Sequence, residues 1–382
     1  MFQSFFNGLS GLFGFSRSLK TVSNNVANMN TPGFRGSDSL FENVLGGRGM
    51  RIAGENMRTR PGDLRATGNP TDLALDGNGY FVLRDPSGGL HYTRAGQFSF
   101  GEDGFLVDSV SGYKVMAFDD QGRLSEVDLN RVNTLPPVAT TLVKFTGNLS
   151  PTGTSFTVND LRVIDAQGGT NVYSVEFTRP TTGATPGVWT VTIKNAAGQS
   201  VGTGEVRFSA GGTLLAGFEN VNFTVNGQTV QLNFGTAGAF DGATQLSGSP
   251  NSLAGRVTDG HGPLNLTGYS FNEQGVLQLQ YGANERREGA RLALADIPSD
   301  ALLNARGSRL YSVPQSAVRG IGRAGEGSLG RIAGGNLEMS NVDLTQEFAD
   351  MIIIQRGYQA NSRVLTVTNE MLENLYNSTR GG

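Results

Sequence analysis

The stretch NNVANMNTPGF, residues 24–34, decides how this chain is read. Four asparagines lead into Thr-Pro-Gly directly after a start studded with phenylalanine and leucine. Asparagine tolerates the left-handed conformation at a helix end. Pro32 cannot continue a helix and restrains Thr31, and Gly33 permits a sharp turn. Asn28, Asn30, Pro32, Gly33 and Phe34 therefore read as a helix stop. Asn24 and Asn25 sit one turn too early to be caps. Their amides either bond to a neighbouring chain or face water.

A stop implies a helix before it, expected over residues 2–30. Phe5, Leu12, Leu19 and Val26 recur every seven residues in one apolar column, flanked by Leu9 and Phe2, with Phe6 and Phe13 on an adjoining stripe. Gly8, Gly11 and Gly14 each lower helicity by about 1 kcal/mol relative to alanine, so this helix needs a partner. The far end supplies one. Residues 337–376 contain no proline, and Leu344, Met351, Tyr358, Leu365 and Leu372 form a complete heptad column. Phe348 adds to that apolar surface. A second column, Glu347, Ile354, Asn361, Thr368 and Leu375, is mixed. Ser340 or Asn341 can cap this helix, with Asp343 favourable at its positive end. Two amphipathic termini form a coiled coil, either within one chain or across subunits; in the latter case the termini order fully only in an assembly.

Between the helices the sequence reads as β structure. Residues 35–70 look polar and irregular. TDLALDGNGYFVL (71–83) and the short runs over 92–119 alternate and are punctuated by glycine turns, an antiparallel pattern. The double proline in NTLPPVATT (133–141) marks a boundary. Residues 141–262, rich in Thr, Val, Gly and Asn, read as a separate sandwich or barrel, with Trp189 in its core. From Leu264 the first pattern resumes. The expected organisation is a multidomain, mainly β chain with N- and C-terminal α-helices: a terminal coiled-coil pair (1–34 and 336–382), connectors (35–70 and 319–335), a discontinuous inner β domain (71–140 and 263–318) and an inserted outer β domain (141–262).

Composition narrows the function. Net charge is -3, which points neither to nucleic acid nor to an anionic membrane surface. Glycine, 55 of 382 residues, is about twice its usual share, and charged residues are only 16%. Cysteine is absent, which excludes disulfides and thiolate metal sites and suits a protein exported unfolded. The start lacks the basic residues that precede a secretory signal's apolar stretch. Polar residues interrupt it too early for a membrane span. GIGRAG (320–325) matches a dinucleotide-loop pattern by spacing, but the glycine-rich run after it cannot open the required helix. His91 and His261 fall in apparent turns and read as exposed. Glu102, Asp103, Asp119 and Asp120 read as turn formers. No catalytic, cofactor or metal site emerges, and an enzyme is not expected.

LSGLFGFSRSLKTVSNNVANMNTPGFRG (9–36) resembles the N-terminal signature of the bacterial flagellar rod and hook proteins. TGNPTDLALDGNGYFVL (67–83) and YTRAGQFSFGEDGFLVDSVSGYKVMAF (92–118) resemble it farther on. GGNLEMSNVDLTQEFADMIIIQRGYQANSRVLTVTNEML (334–372) resembles the C-terminal signature. Within that family the extra β insert and the return segments 266–281 and 291–317 favour a hook subunit over a distal rod subunit. The resemblance implies a helical homopolymer, a flexible tubular universal joint that transmits motor torque from rod to filament. Its implied partners are further copies of itself, rod, hook-cap and hook–filament junction proteins and the type III export apparatus. No small-molecule substrate is implied. The implied location is the extracellular part of the flagellum (hook and basal body), reached without a cleaved signal peptide. Implied subunit-packing residues are Phe5, Leu9, Leu12, Leu19 and Val26, with Leu344, Phe348, Met351, Ile354, Tyr358, Leu365, Leu372 and Leu375. Asn24, Asn25, Asn28, Asn30, Pro32, Gly33 and Phe34 form the implied assembly signature.

Overall fold

Two helices account for the heptad columns in the computed structural model, which describes residues 2–44, 49–180, 185–299, 303–307 and 309–380. Helix α1 runs Phe2–Ala27 and helix α2 runs Leu344–Arg380. At 1.5 Å per residue they span roughly 39 and 55 Å. Helix α1 ends three residues earlier than expected. The Asn28 side-chain amide donates to the Asn24 carbonyl at 2.9 Å, and the next turn closes with Thr31 N–H on the Asn28 carbonyl at 3.0 Å. Gly33 then turns the chain at φ +70°, and a Cβ there would lie 2.4 Å from the Ala95 nitrogen. Conformation and space both demand glycine at this point. The cap of α2 is Asp343, which accepts the Thr345 N–H at 2.8 Å and the Gln346 N–H at 3.3 Å. Asn341, an expected cap, is drawn away to bridge backbone elsewhere.

The helices pair antiparallel within one chain. Gly11 lies against Asn361, where a Cβ would fall 2.5 Å from Asn361 Oδ1, and Gly357 lies against Phe15 at the same 2.5 Å. Asn25 meets Glu347. These pairings share one constant register. Glycines that weaken an isolated helix thus let the two backbones approach closely. The residues turned inward are small or polar on α1 (Gly8, Gly11, Ser18, Asn25) alongside Phe15 and Val22. On α2 they come from the mixed column, Glu347, Ile354, Asn361 and Thr368.

A β-hairpin, β1 (Ser37–Asn43) and β2 (Met50–Met57), lies along α1. Met50 packs under Gly14, and Ser39 and Glu55 both reach the Thr21 hydroxyl, at 3.1 and 3.3 Å. Residues 35–70 are therefore not irregular. A bulge between Leu40 and Phe41 breaks the alternation that would have revealed β1. Leu64–Ala66 pairs with Asn336–Glu338, and Leu73–Asp76 with Arg331–Gly334. Gly320–Arg323 joins the main sheet, so the expected flexible segment 319–335 carries two paired strands. Both are four residues long, too short and glycine-rich to show a period.

The chain divides into two compact units, Met1–Val132 with Thr267–Gly382, and Asn133–Leu266. In the first, the strand Glu285–Asp296 pairs with Val276–Tyr281, Lys114–Phe118, Tyr80–Arg84 and Gly320–Arg323. A central strand thus comes from the returning chain. Phe81 and Phe98 meet edge-to-face at 5.2 Å in its fully buried interior, with Leu73, Leu75, Leu83, Leu106 and Met116.

The second unit is a β-sandwich. One sheet contains Leu142–Asn148, Asn220–Val225 and Gln228–Asn233; the other orders Ser155–Ile164, Thr170–Thr178, Val188–Asn195 and Ser200–Arg207. Trp189, Phe145, Phe177 and Phe234 fill the space between them. Phe145 stacks on Phe234 at 4.8 Å. Replacing Phe177 by alanine should cost this unit about 3–5 kcal/mol. A denaturant titration following the fluorescence of Trp189, the sole tryptophan, should show the midpoint fall.

Candidate assembly surface

The base of the helix pair is held by buried polar groups. Asn25, 1% exposed, treats Ser37 as a strand would. Its amide donates to the Ser37 carbonyl at 2.9 Å and its oxygen accepts the Ser37 N–H at 3.0 Å. The same amide donates to Glu347 Oε2 at 3.1 Å. Glu347 is fully buried, and its other oxygen lies 2.7 Å from the Arg58 guanidinium, which also holds Asp38 at 2.7 Å. The hydrogen bond to Asp38, followed by that to Glu347, pushes the Arg58 pKa above its ordinary value. Asn341 completes the clasp. It accepts the Gly36 N–H at 2.8 Å and donates to the carbonyls of Arg58 (3.1 Å) and Arg60 (2.6 Å).

A second buried group ties the helix stop to the β unit. The Glu338 carbonyl accepts the Gly33 N–H at 2.7 Å. Its carboxylate meets Arg94 at 3.0 Å and Arg35 at 3.7 Å. Arg94 donates to the carbonyls of Gly79 (2.7 Å) and Gly77 (2.8 Å). Burial lowers the Arg94 pKa and the Glu338 charge opposes that shift. Such charges persist in an interior only when paired and hydrogen-bonded.

The assembly signature therefore separates by role. Asn25 is a buried intrachain bridge, neither solvated nor free to bond another chain. Asn24 and Asn28 close the helix end, Gly33 makes the turn, and the Pro32 carbonyl accepts from Arg309 at 3.3 Å. Phe34 is half-buried and Asn30 is exposed. The apolar columns take a different place. At heptad spacing and in antiparallel register, Phe5, Leu12, Leu19 and Val26 fall on the same flank of the pair as Leu344, Met351, Tyr358, Leu365 and Leu372. They form a continuous stripe beside the seam, half-buried except for the exposed Tyr358. Leu9 is also half-buried; Ile354 alone of the expected packing residues is fully inward. Phe6, Phe13, Phe348, Ile352, Ile353, Val364, Val367, Met371, Leu375 and Tyr376 are exposed on the remaining faces. A helix apolar on so many sides is ordinarily buried.

Glu347, Arg58, Asn341, Glu338 and Arg94 hold the site without being among the implied packing residues or the assembly signature. The break that Glu347, Asn361 and Thr368 make in their heptad column is the sequence signal of a polar seam; Arg58 and Arg94 carry none. The histidines depart from expectation too, since both are half-buried. His91 lies in the strand Leu90–Thr93 with Nε2 2.9 Å from Asp85 Oδ2. The Ser87 hydroxyl, aided by His91, holds the Asp85 carboxyl below the usual range. His261 bridges to Val138. Asp103 and Asp119 accept turn N–H groups as expected. GIGRAG begins as the strand Gly320–Arg323. Among the described residues no group of three or more His, Asp or Glu side chains converges as a metal site, and no helix is long and apolar enough to cross a membrane.

Three family models match the chain: Flagella basal body rod protein over 6–35, Flagellar hook protein FlgE/F/G D1 domain over 74–160, and Flagellar basal body rod FlgEFG protein C-terminal over 333–378. The chain is 32% identical to Flagellar hook protein FlgE of Brucella suis, covering 98% of each. It is 28% identical to Flagellar hook protein FlgE of Salmonella typhimurium, covering 98% of this chain and 100% of the other. A crystal structure of Helicobacter pylori flagellar hook protein FlgE2 aligns over 73% of this chain and 100% of the other, at 14% identity and a TM-score of 0.48.

The clasp yields a test. Glu347→Ala leaves Arg58 buried beside no carboxylate from α2 and should destabilise the helix pair by about 3–5 kcal/mol. Asn25→Ala should cost about 1–3 kcal/mol. The two together should cost less than their sum, because they share one hydrogen bond. Thermal unfolding followed at a helix-sensitive circular dichroism wavelength measures all three.

Proposed function

The chain belongs to the flagellar hook protein family, and from its geometry we infer how a hook subunit of this sequence assembles and carries load. It is a structural protein of the flagellum that polymerises with itself, and a hook subunit rather than a distal rod subunit. The observation that carries the finer account is the apolar surface left over after α1 and α2 have paired. At roughly 25 cal/mol per Å² of apolar surface removed from water, covering it favours association with further copies.

In this account the α1–α2 pairs of neighbouring subunits pack through the stripe Phe5, Leu12, Leu19, Val26, Leu344, Met351, Tyr358, Leu365 and Leu372, and form the inner wall of a tube. The β units form outer layers. Tight apolar contact resists twist in the wall, while weakly charged, Gly-, Ser-, Thr- and Asn-rich outer surfaces slide through wet contacts. Such a tube transmits torque from rod to filament while bending. Rod, hook-cap and hook–filament junction proteins adjoin its ends. The lack of cysteine suits passage as an unfolded chain through a type III export apparatus to the extracellular flagellum.

The test is polymerisation of the purified full chain. Leu12→Asp and Met351→Asp should each raise the critical concentration by at least about tenfold, the equivalent of roughly 1.4 kcal/mol, with the monomer's circular dichroism unchanged. Tubes forming as readily from both variants as from the parent would contradict the stripe's role. Electron images of the parent should show curved tubes.

A further inference from the structure

Beside the helical seam, on the flank carrying the hairpin, a cleft of about 250 Å³ opens between three elements. Helix α1 lines it with Phe15, Ser18 and Val22, β1 with Phe41, and α2 with Ile353 and Ile354. Its mouth is apolar, because Ile353 is 64% and Phe41 46% exposed. Asp350 stands in the lining. Among the described residues Asp350 makes no ion pair or side-chain hydrogen bond, whereas Asp38, the other carboxylate of the lining, is engaged by Arg58.

The same chain carries a shape and charge that match this cleft. Phe13 is 69% exposed, on the side of α1 turned away from α2. Arg17 follows one turn later on the same surface, four residues on, where side chains are neighbours. Arg17 is exposed and, among the described residues, also makes no ion pair. A phenyl ring with a guanidinium one turn away thus complements a cleft whose mouth is apolar and whose Asp350 carboxylate, unlike Asp38, has no cation beside it among the described residues.

We propose that Phe13 of one copy seats in the Phe15/Phe41/Ile353 cleft of a second copy, with Arg17 pairing to Asp350. The occupant is a second copy because this chain's own surface carries an exposed apolar residue and, one helical turn away, the charge opposite to Asp350. Knob and cleft are different patches, so the contact is head-to-tail. Repeated contacts of that kind build a ring or, where the rotation does not close, an open helix, instead of an isologous dimer. The clasp rigidifies the cleft, since Ser37 and Asp38, which help to line it, are the residues that Asn25 and Arg58 hold. The inference rests on self-assembly of the chain and names one lateral contact within it.

Charge reversal tests the contact in the full-length chain. Arg17→Asp and Asp350→Arg should each raise the critical concentration for polymerisation about tenfold or more. The double variant should restore it to within about threefold of the parent, because the ion pair is re-formed with its sense reversed. Phe13→Ser should impair assembly in both the parent and the double variant. Among the described residues neither charged side chain forms an ion pair within the chain, so all monomers should melt alike. Two results would overturn the contact while leaving self-assembly intact: a parent that polymerises alongside single variants that do so equally well, or a double variant as defective as the singles. A parent that forms no polymer under any condition would overturn self-assembly and this contact together.

Discussion

A carboxylate buried between two helices sets the terms for the rest of the molecule. Glu347 is enclosed beside Asn25 and Arg58, and a charge so placed tolerates only the arrangement that keeps its partners in reach. Sliding α1 by one turn would strand the carboxylate. Polar seam residues commonly fix register at some expense of stability, and here they do so at the end where the helices meet the β unit. Gly33, Arg35 and Asn341 carry the constraint onward, tying the end of α1 and the approach to α2 to Glu338 and to the backbone at Gly36.

Because small and polar groups occupy the inward positions, the large apolar side chains are displaced to the flanks and back. That displacement is the physical origin of the assembly surface. A conventional apolar seam would have consumed Leu12, Leu19 and Met351 within the chain, as Leu365 against Gly8 in part already is, and left little to associate. The register also leaves α2 longer than its partner: continued upward it places Phe2 opposite Glu370, so Met371, Leu375 and Tyr376 extend past α1. The β-sandwich, by contrast, buries Phe145, Phe177, Trp189 and Phe234 in a core of its own.

Much of this was legible in the residues. Heptad columns marked both helices, the Asn-Thr-Pro-Gly stop fell within three residues of the end of α1, and the return segment was recognisable because its alternation repeats that of residues 71–119. The inserted unit spans 133–266 against the expected 141–262, with Trp189 in its core as anticipated. The inward seam was harder to see. A complete apolar column ordinarily faces a partner helix, and here the column interrupted by Glu347, Asn361 and Thr368 faces it instead. That choice depends on Gly8, Gly11 and Gly357 allowing close approach, a tertiary effect with no local signature. Asn25 stands one turn too early for a cap, and its partners lie 12 and 322 residues away, beyond the reach of any local pattern. The paired strands Ser37–Asn43 and Met50–Met57 leave no clear period in the sequence because a bulge interrupts it, and the ribbons at 64–66 and 331–338 because each strand is too short to have one.

Hydrogen-exchange mass spectrometry on the full chain, before and after polymerisation, tests the central claim most directly. The account holds that α1 and α2 pair inside each subunit and that further copies cover their flanks. Amides around Asn25 and Glu347 should therefore exchange slowest in the monomer, while those from Phe5 to Leu19 and from Tyr358 to Leu372 should gain the most protection on entering the tube. Uniform slow exchange along both helices in the monomer, unchanged on polymerisation, would contradict it.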